Sequence, residues 1–287
     1  PGVRVDSIAL DTASLPAGAS DALLRSAALG KLSDIEPVSE TTKNGVTTVT
    51  VSYTAHGTPG TTTFRIAQDG WLGVAPTWRF TQSPLSVIDL TVRGSMRFSV
   101  NGFEVDKRQV SVDGVDADPL APVPMLVFSP GIYSVTVDTA ISRSDGVLVL
   151  ADAPLRNTPI DIQAEPTPEF VNVVQEEVNG FLDACATQQV LQPTGCPFGF
   201  FVTNRIVAPP EWSMAEYPVV NVVPHGADWR IVPADGRAHI NVGVRSLFDG
   251  SVRNVDEDVE FTIDGTITLL GDGTISIRVG GGEQGLD

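Results

Sequence analysis

Apolar and polar residues alternate along most of this chain, a period-two pattern that predicts strands. Met96, Phe98 and Val100 mark one run and Tyr133, Val135 and Val137 another, each giving its strand a single apolar face. Seven short runs follow one another between residues 83 and 165: VIDLTVRG, MRFSVNG, KRQVSVDG, MLVFSPG, IYSVTVDTA, GVLVLAD and PIDIQAE. Asn-Gly, Asp-Gly and Pro-Gly turns punctuate them and no helical period intervenes, so residues 83–165 are expected to form a central β-sandwich or barrel.

On either side the pattern changes to a helix followed by a meander, the order of an α+β domain. In residues 1–82, PGVRVDSIAL alternates as a strand and SDALLRSAAL reads as one short helix with Ser20 as its cap. Three strand runs come next, with turns expected at Lys43-Asn44-Gly45, in HGTPGT, and at Asp69-Gly70.

Residues 166–279 open on TPEFVNVVQEEVNGFLDACA. Thr167 is placed to cap a helix, Pro168 suits the first helical position, and Glu169 falls in the first turn. Phe170, Val173, Val174, Val178, Phe181, Leu182 and Cys185 recur at the spacing of one buried helical face. Strand runs resume with FFVTNRIV, YPVVNVVP, WRIVPAD, AHINVGVRSLF, DVEFTIDG, TITLLGDG and TISIRV, while APPEWSMAEYP between them reads as a Pro-rich loop. The Gly-rich end, residues 280–287, reads as a loose tail. The shared order of the two outer segments fits either an internal duplication or two ordinary antiparallel sheets. The expected class is therefore mostly β, with α+β end domains and antiparallel sheets.

The two cysteines, Cys185 and Cys196, stand at the end of the helix and in the loop beyond it. A structural zinc site takes four ligands at short spacings, and a redox dithiol reads C-x-x-C; neither pattern is present. A disulfide is the expected state, which places the chain outside the reducing cytosol. Two buried thiols packed as small hydrophobes are the alternative.

A net charge of −17 disfavours nucleic acid and anionic headgroups as partners. No apolar run reaches the roughly 20 residues that span a bilayer. The chain starts at Pro1 without a leader, and the expectation is a signal peptide, a membrane anchor or an arbitrary boundary upstream.

Motifs for chemistry are sparse. G-x-S-x-G, H-E-x-x-H and the phosphate-binding glycine loops are absent. His56 and His225 precede glycines and read as turn residues, whereas His239 sits in an alternating strand and could face a cavity. The acidic stretches NVDEDVE and DGVDAD read as hydrated hairpin rims rather than calcium loops. Aromatic faces stack on sugars, which makes the four tryptophans, Trp71, Trp78, Trp212 and Trp229, candidates for glycan contact. The binding residues singled out are Trp212, Tyr217, Trp229 and His239; an enzymatic alternative would use Asp228 and His239 with Tyr217 as donor.

The helix Thr167–Ala186 with late strands AHINVGVRSLF, DVEFTIDG and TISIRV resembles the cone-shaped α+β fold of the nuclear transport factor 2-like group. FSVNG…FSPGIYSVTVD looks like small envelope modules in which an N-G hairpin precedes a P-G-x-Y-x-V strand. The whole order, with CPFGF after the cysteine pair, resembles the extracytoplasmic region of actinobacterial membrane-anchored or exported envelope proteins. That resemblance implies a cone-like C-terminal domain and a tether upstream. The expected function is non-catalytic binding or scaffolding at the envelope, with a protein partner or cell-wall polymer, no cofactor and no metal. The alternative is a cone-fold enzyme or small-ligand sensor with an apolar pocket.

Overall fold

The computed structural model describes residues 15–16, 18–270 and 275–281. Antiparallel sheets dominate two compact units, Pro1–Ala164 and Glu165–Asp287. The strand expected in PGVRVDSIAL and all of the tail beyond residue 281 lie outside the described residues.

The first unit takes in residues 1–82 and, but for Glu165, residues 83–165. SDALLRSAAL forms two 3-10 turns, Ala22–Leu24 and Ser26–Ala28, instead of one helix, because Arg25 between them is extended at φ −81° and ψ 145°. Ser20 is drawn into strand pairing: its N–H donates to Pro124 O at 2.9 Å and its carbonyl accepts from Leu126 N at 2.8 Å. Leu24 then packs on Leu85, Val87 and Leu126, a tertiary contact that outweighs local helix preference.

Strands β1 (Leu32–Lys43), β2 (Val46–Ala55), β3 (Thr58–Leu72) and β4 (Ala75–Phe80) form a four-stranded meander in that order. Two-residue turns join the first three, Asn44-Gly45 and His56-Gly57, with positive φ at both positions of each. That backbone matches the twist of the strands it joins. The turn expected at Asp69-Gly70 is a bulge inside β3, and the chain reverses only after Leu72. One face of the meander carries Tyr53 and Ala55, whose side chains are buried with Ile132 and Leu32 at its base. Gly60 makes room for the Tyr53 ring, which would stand 2.6 Å from any added Cβ.

The rest of this unit comprises β5 (Leu85–Arg93), β6 (Arg97–Val100), β7 (Phe103–Asp106), helix α1 (Lys107–Val110), β8 (Val123–Phe128), β9 (Gly131–Thr136), β10 (Ser142–Arg143), β11 (Val147–Ala151) and β12 (Asn157–Gln163). They make a sheet of order β11-β9-β6-β7 and another of order β12-β5-β8, in which β12 and β5 run parallel. KRQVSVDG, expected as a strand, becomes α1 and a following 3-10 turn at Gly114–Asp116. Asp106 caps α1 by accepting from Arg108 N at 3.0 Å, and the buried Lys107 ammonium donates to Pro119 O and Ala121 O. Asn101, in the β6–β7 turn, donates its amide to Ala28 O and Ile132 O and accepts from Ser134 N.

The second unit begins with β13 (Glu165–Pro166) and helix α2 (Pro168–Ala186). Thr167 caps α2, its Oγ1 accepting from Phe170 N at 3.2 Å. The buried stripe is Phe170, Val174, Val178, Leu182 and Cys185; Val173, expected in it, is half exposed on the outer side. A six-stranded sheet follows: β14 (Arg205–Ile206), β15 (Glu211–Glu216), β16 (Val222–His225), β17 (Asp228–Arg245), β18 (Val252–Leu269) and β19 (Ile275–Gly281). The runs WRIVPAD and AHINVGVRSLF merge into the 18-residue β17, with a bulge between Ile231 and Ala234 absorbing Pro233. Short β14, β15 and β16 pair successively along one edge of β17 and β18 along the other.

Leu182 is fully buried in this core and Val173 is not. Leu182→Ala is expected to cost about 2–5 kcal/mol in urea denaturation, and Val173→Ala less than ~0.5 kcal/mol.

Candidate functional site

Trp229 is 1 % exposed, its ring edge-on to Phe170 at 6.4 Å. Trp212 is 8 % exposed, donates from Nε1 to Val190 O at 2.8 Å, and packs against Phe198 with the rings tilted at 46°. Neither offers a face to a sugar. APPEWSMAEYP contains strand β15 rather than a loop, with Trp212 opposite Ile240 of β17. Its prolines flank the strand instead of breaking it.

Cys185 and Cys196 are joined, with Cα atoms 5.8 Å apart. The closed loop is also held by Gln188, which donates to Thr194 O and accepts from Thr194 N. Just beyond it Phe198 enters the core between Trp212 and Phe261. The bridge therefore pins the segment that fills the space over the sheet.

Tyr217 is exposed and donates its hydroxyl to Asp183 of α2; this hydrogen bond to a carboxylate raises the phenol above its ordinary pKa. His239 lies on the solvent face of β17, Nδ1 2.8 Å from Asp258 and Nε2 3.0 Å from Asp256. Those carboxylates belong to NVDEDVE, which is strand β18 and not a hairpin rim, so its alternate residues face His239 and Asn241 across the ladder. Asp228 is at the far end of the same strand, beside His225. Eleven residues at about 3.3 Å each separate it from His239, so the two do not form one site. Phe170, Val174, Val178 and Leu182 on α2, with Trp229, Ile231, Ile240 and Ile263 on the sheet, are all buried. Among the described residues no group of three or more His, Cys, Asp or Glu is placed to hold a metal ion.

In the first unit a polar cleft of about 550 Å³ lies by β6 and β7, lined by Arg97, Glu104, Asp106, Asp138 and Thr139. Asp106 is bonded by the Arg108 guanidinium at 2.7 Å and approached by Arg97 at 3.5 Å. The hydrogen bond from Arg108 holds its carboxyl below the usual range, against the opposing effect of burial. It is an anchored carboxylate at neutral pH.

One group of exposed apolar side chains lies in the meander. β2 ends its pairing with β3 at Ala67, but β3 runs on to Leu72 and β4 returns beside it. Residues beyond Ala67 thus form a two-stranded ribbon, a structure of marginal stability in water by itself. Trp71 is 67 % exposed, Leu72 78 %, Val74 96 % and Trp78 51 %. Trp71 pairs with Pro76, and Trp78 is two residues along from Pro76, so both indoles share one face. That face continues back through Phe80 and Phe64, whose rings pack edge-on at 5.8 Å. Trp71 and Trp78 are the two of the four candidate tryptophans that are exposed, and the chain reverses after Leu72 rather than at Asp69-Gly70, which is what makes the ribbon.

No protein-family model, curated protein or solved structure matches the chain. Among the described residues no helix is long and apolar enough to cross a membrane.

Reducing the disulfide, or replacing both cysteines by alanine, is expected to cost about 3 kcal/mol in denaturant unfolding. Asp106→Asn should cost about 1–2 kcal/mol at pH 7. Because the folded Asp106 carboxyl lies below its ordinary value of 3.8, its contribution is complete above that pH and is lost as pH falls through the folded value. The gap between wild type and variant should accordingly close in melts taken below about pH 4.

Proposed function

We propose that this chain is a non-catalytic binding or scaffolding module working outside the cytoplasm, at a bacterial envelope, with an envelope protein or cell-wall polymer as partner. The observation that carries the proposal is the meander β1–β4: a single sheet, anchored at Tyr53 and Ala55, whose ribbon beyond Ala67 exposes Trp71, Leu72, Val74 and Trp78. Exposed apolar patches of this kind mark contact surfaces. The Cys185–Cys196 bridge supports an oxidising compartment. A tether upstream would hold such a module at the envelope.

Two architectural readings accompany the proposal. The small sheets of β5–β12 are read as a β-sandwich, supported by buried Val87, Val100, Met125, Val127 and Val135 on their strands. The second unit is read as cone-like, supported by one long helix packed on a long-stranded antiparallel sheet. The filled space between them favours binding over an interior pocket, and His239 engaged by two carboxylates in solvent favours a structural role over general-base work.

Full-length chain should co-sediment with a whole envelope preparation of membranes and walls together. Trp71→Ala/Trp78→Ala should reduce that binding at least tenfold with an unchanged melting temperature, since both side chains are exposed. Equal binding by the double variant would remove the meander as the contact surface.

A further inference from the structure

The ribbon orders its side chains by depth. Val74 stands at the tip, then Leu72 opposite Ala75, then Trp71 opposite Pro76, then Trp78 opposite Gln68. No charged residue occurs from Gly70 to Trp78. Behind this stretch come Arg79 opposite Ala67, Ala67 opposite Val46, and Lys43 opposite Val46 on the next strand. Arg65 follows two residues further back.

Aliphatic tip, aromatic band and charged collar are the sequence of environments met on leaving a bilayer: acyl boundary, interface, headgroups. Trp71, opposite Pro76, lies two residues behind Val74, or about 7 Å at the rise of a strand, roughly the depth of one headgroup layer, and Trp78 and then Arg79 follow behind it.

Charge gives the second argument. The chain carries −17, yet from Lys43 to Phe80 three cations, Lys43, Arg65 and Arg79, face one carboxylate, Asp69. Asp69 is 3.3 Å from Arg79, which leaves Lys43 and Arg65 as the surplus ahead of Glu40, the next carboxylate back, whose partner Val49 lies one residue behind Thr48, the partner of Arg65. A basic collar in an acidic protein matches an anionic surface. A two-stranded ribbon has unpaired outer edges that hydrocarbon does not tolerate, so only the Leu72–Ala75 turn can pass the headgroup level.

We propose that the β3–β4 ribbon is a shallow membrane-docking element, seating Leu72 and Val74 at the acyl boundary, Trp71 and Trp78 in the interface, and Lys43 and Arg65 against anionic headgroups. This rests on the meander being the contact surface and adds the chemical class of what its tip meets.

The test uses the full chain with vesicles of phosphatidylcholine alone or mixed with phosphatidylglycerol. Binding is read by sedimentation and by tryptophan emission, to which the buried Trp212 and Trp229 contribute little change. The expected result is co-sedimentation and a blue shift with the anionic vesicles, and weaker binding to phosphatidylcholine alone. Leu72→Asp/Val74→Asp should lose at least tenfold, and Lys43→Glu/Arg65→Glu should abolish the preference for phosphatidylglycerol. Circular dichroism melts of each variant check that the fold is kept. Failure to bind vesicles overturns the proposal, as does undiminished binding by Leu72→Asp/Val74→Asp. Analytical ultracentrifugation showing a wild-type dimer that this variant dissolves would assign the ribbon to self-association and overturn it as well. Envelope binding that depends on Trp71 and Trp78, without vesicle binding, would overturn only the lipid assignment; loss of both would remove the contact surface too.

Discussion

Hairpin register governs the first unit, and three two-residue turns set it. Asn44-Gly45, His56-Gly57 and Asn101-Gly102 each hold positive φ at both positions, which fixes how the flanking strands pair. A slip of one residue would send every side chain of a strand to the opposite face. Tyr53 would leave Ile132, and the aromatic stripe of Phe64 and Phe80 would exchange places with the Thr- and Ser-rich face. Asn101 adds a tertiary lock, because its side chain reaches Ala28, Ile132 and Ser134 as well as making the turn.

The meander and the second unit use the same strand chemistry to opposite ends. On β17, Ile231, Ile240, Val242 and Val244 are buried, in a sheet that Phe170 of α2 and Phe198 beyond the disulfide loop reach at Trp229 and Phe261. On β2 and β3, apolar residues at equivalent spacing are buried only near the base, where Ile132 supplies a partner. Further out Val49, Val51, Phe64 and Phe80 are partly buried, and exposure climbs toward Val74. Apolar side chains left exposed at the end of a sheet are costly in water, and the cost is offset when a partner covers them. The proposed binding role follows from that deficit.

Much of the local structure was legible. The helix from Pro168, with its Thr167 cap, was visible because cap, proline and apolar spacing all agree over nineteen residues. The cysteine pair was legible for a similar reason: a helix end and a Pro-Gly loop bring two chain segments close. Errors arose where one local signal competed with a tertiary one. Asp69-Gly70 has turn composition but serves as a bulge, since β4 pairs further along the strand. APPEWSMAEYP has loop composition but contributes β15, since β17 has an open edge for it. KRQVSVDG alternates like a strand, yet Asp106 caps a helix there and the Lys107 ammonium finds two carbonyls.

The mostly β composition, the Asn-Gly hairpin positions and the long amphipathic helix can be read from the chain alone, because each depends on neighbours within a few residues, and the acidic charge balance because it is a matter of composition. Which tryptophans are core and which are surface emerges only in the folded chain. Trp212 and Trp229 are covered by Phe198 and Phe170, whereas Trp71 and Trp78 lie past the end of β2, where among the described residues β3 and β4 pair only with each other. Alternation tells which side chains share a face; whether that face is covered depends on segments distant in the chain, and no local pattern records them.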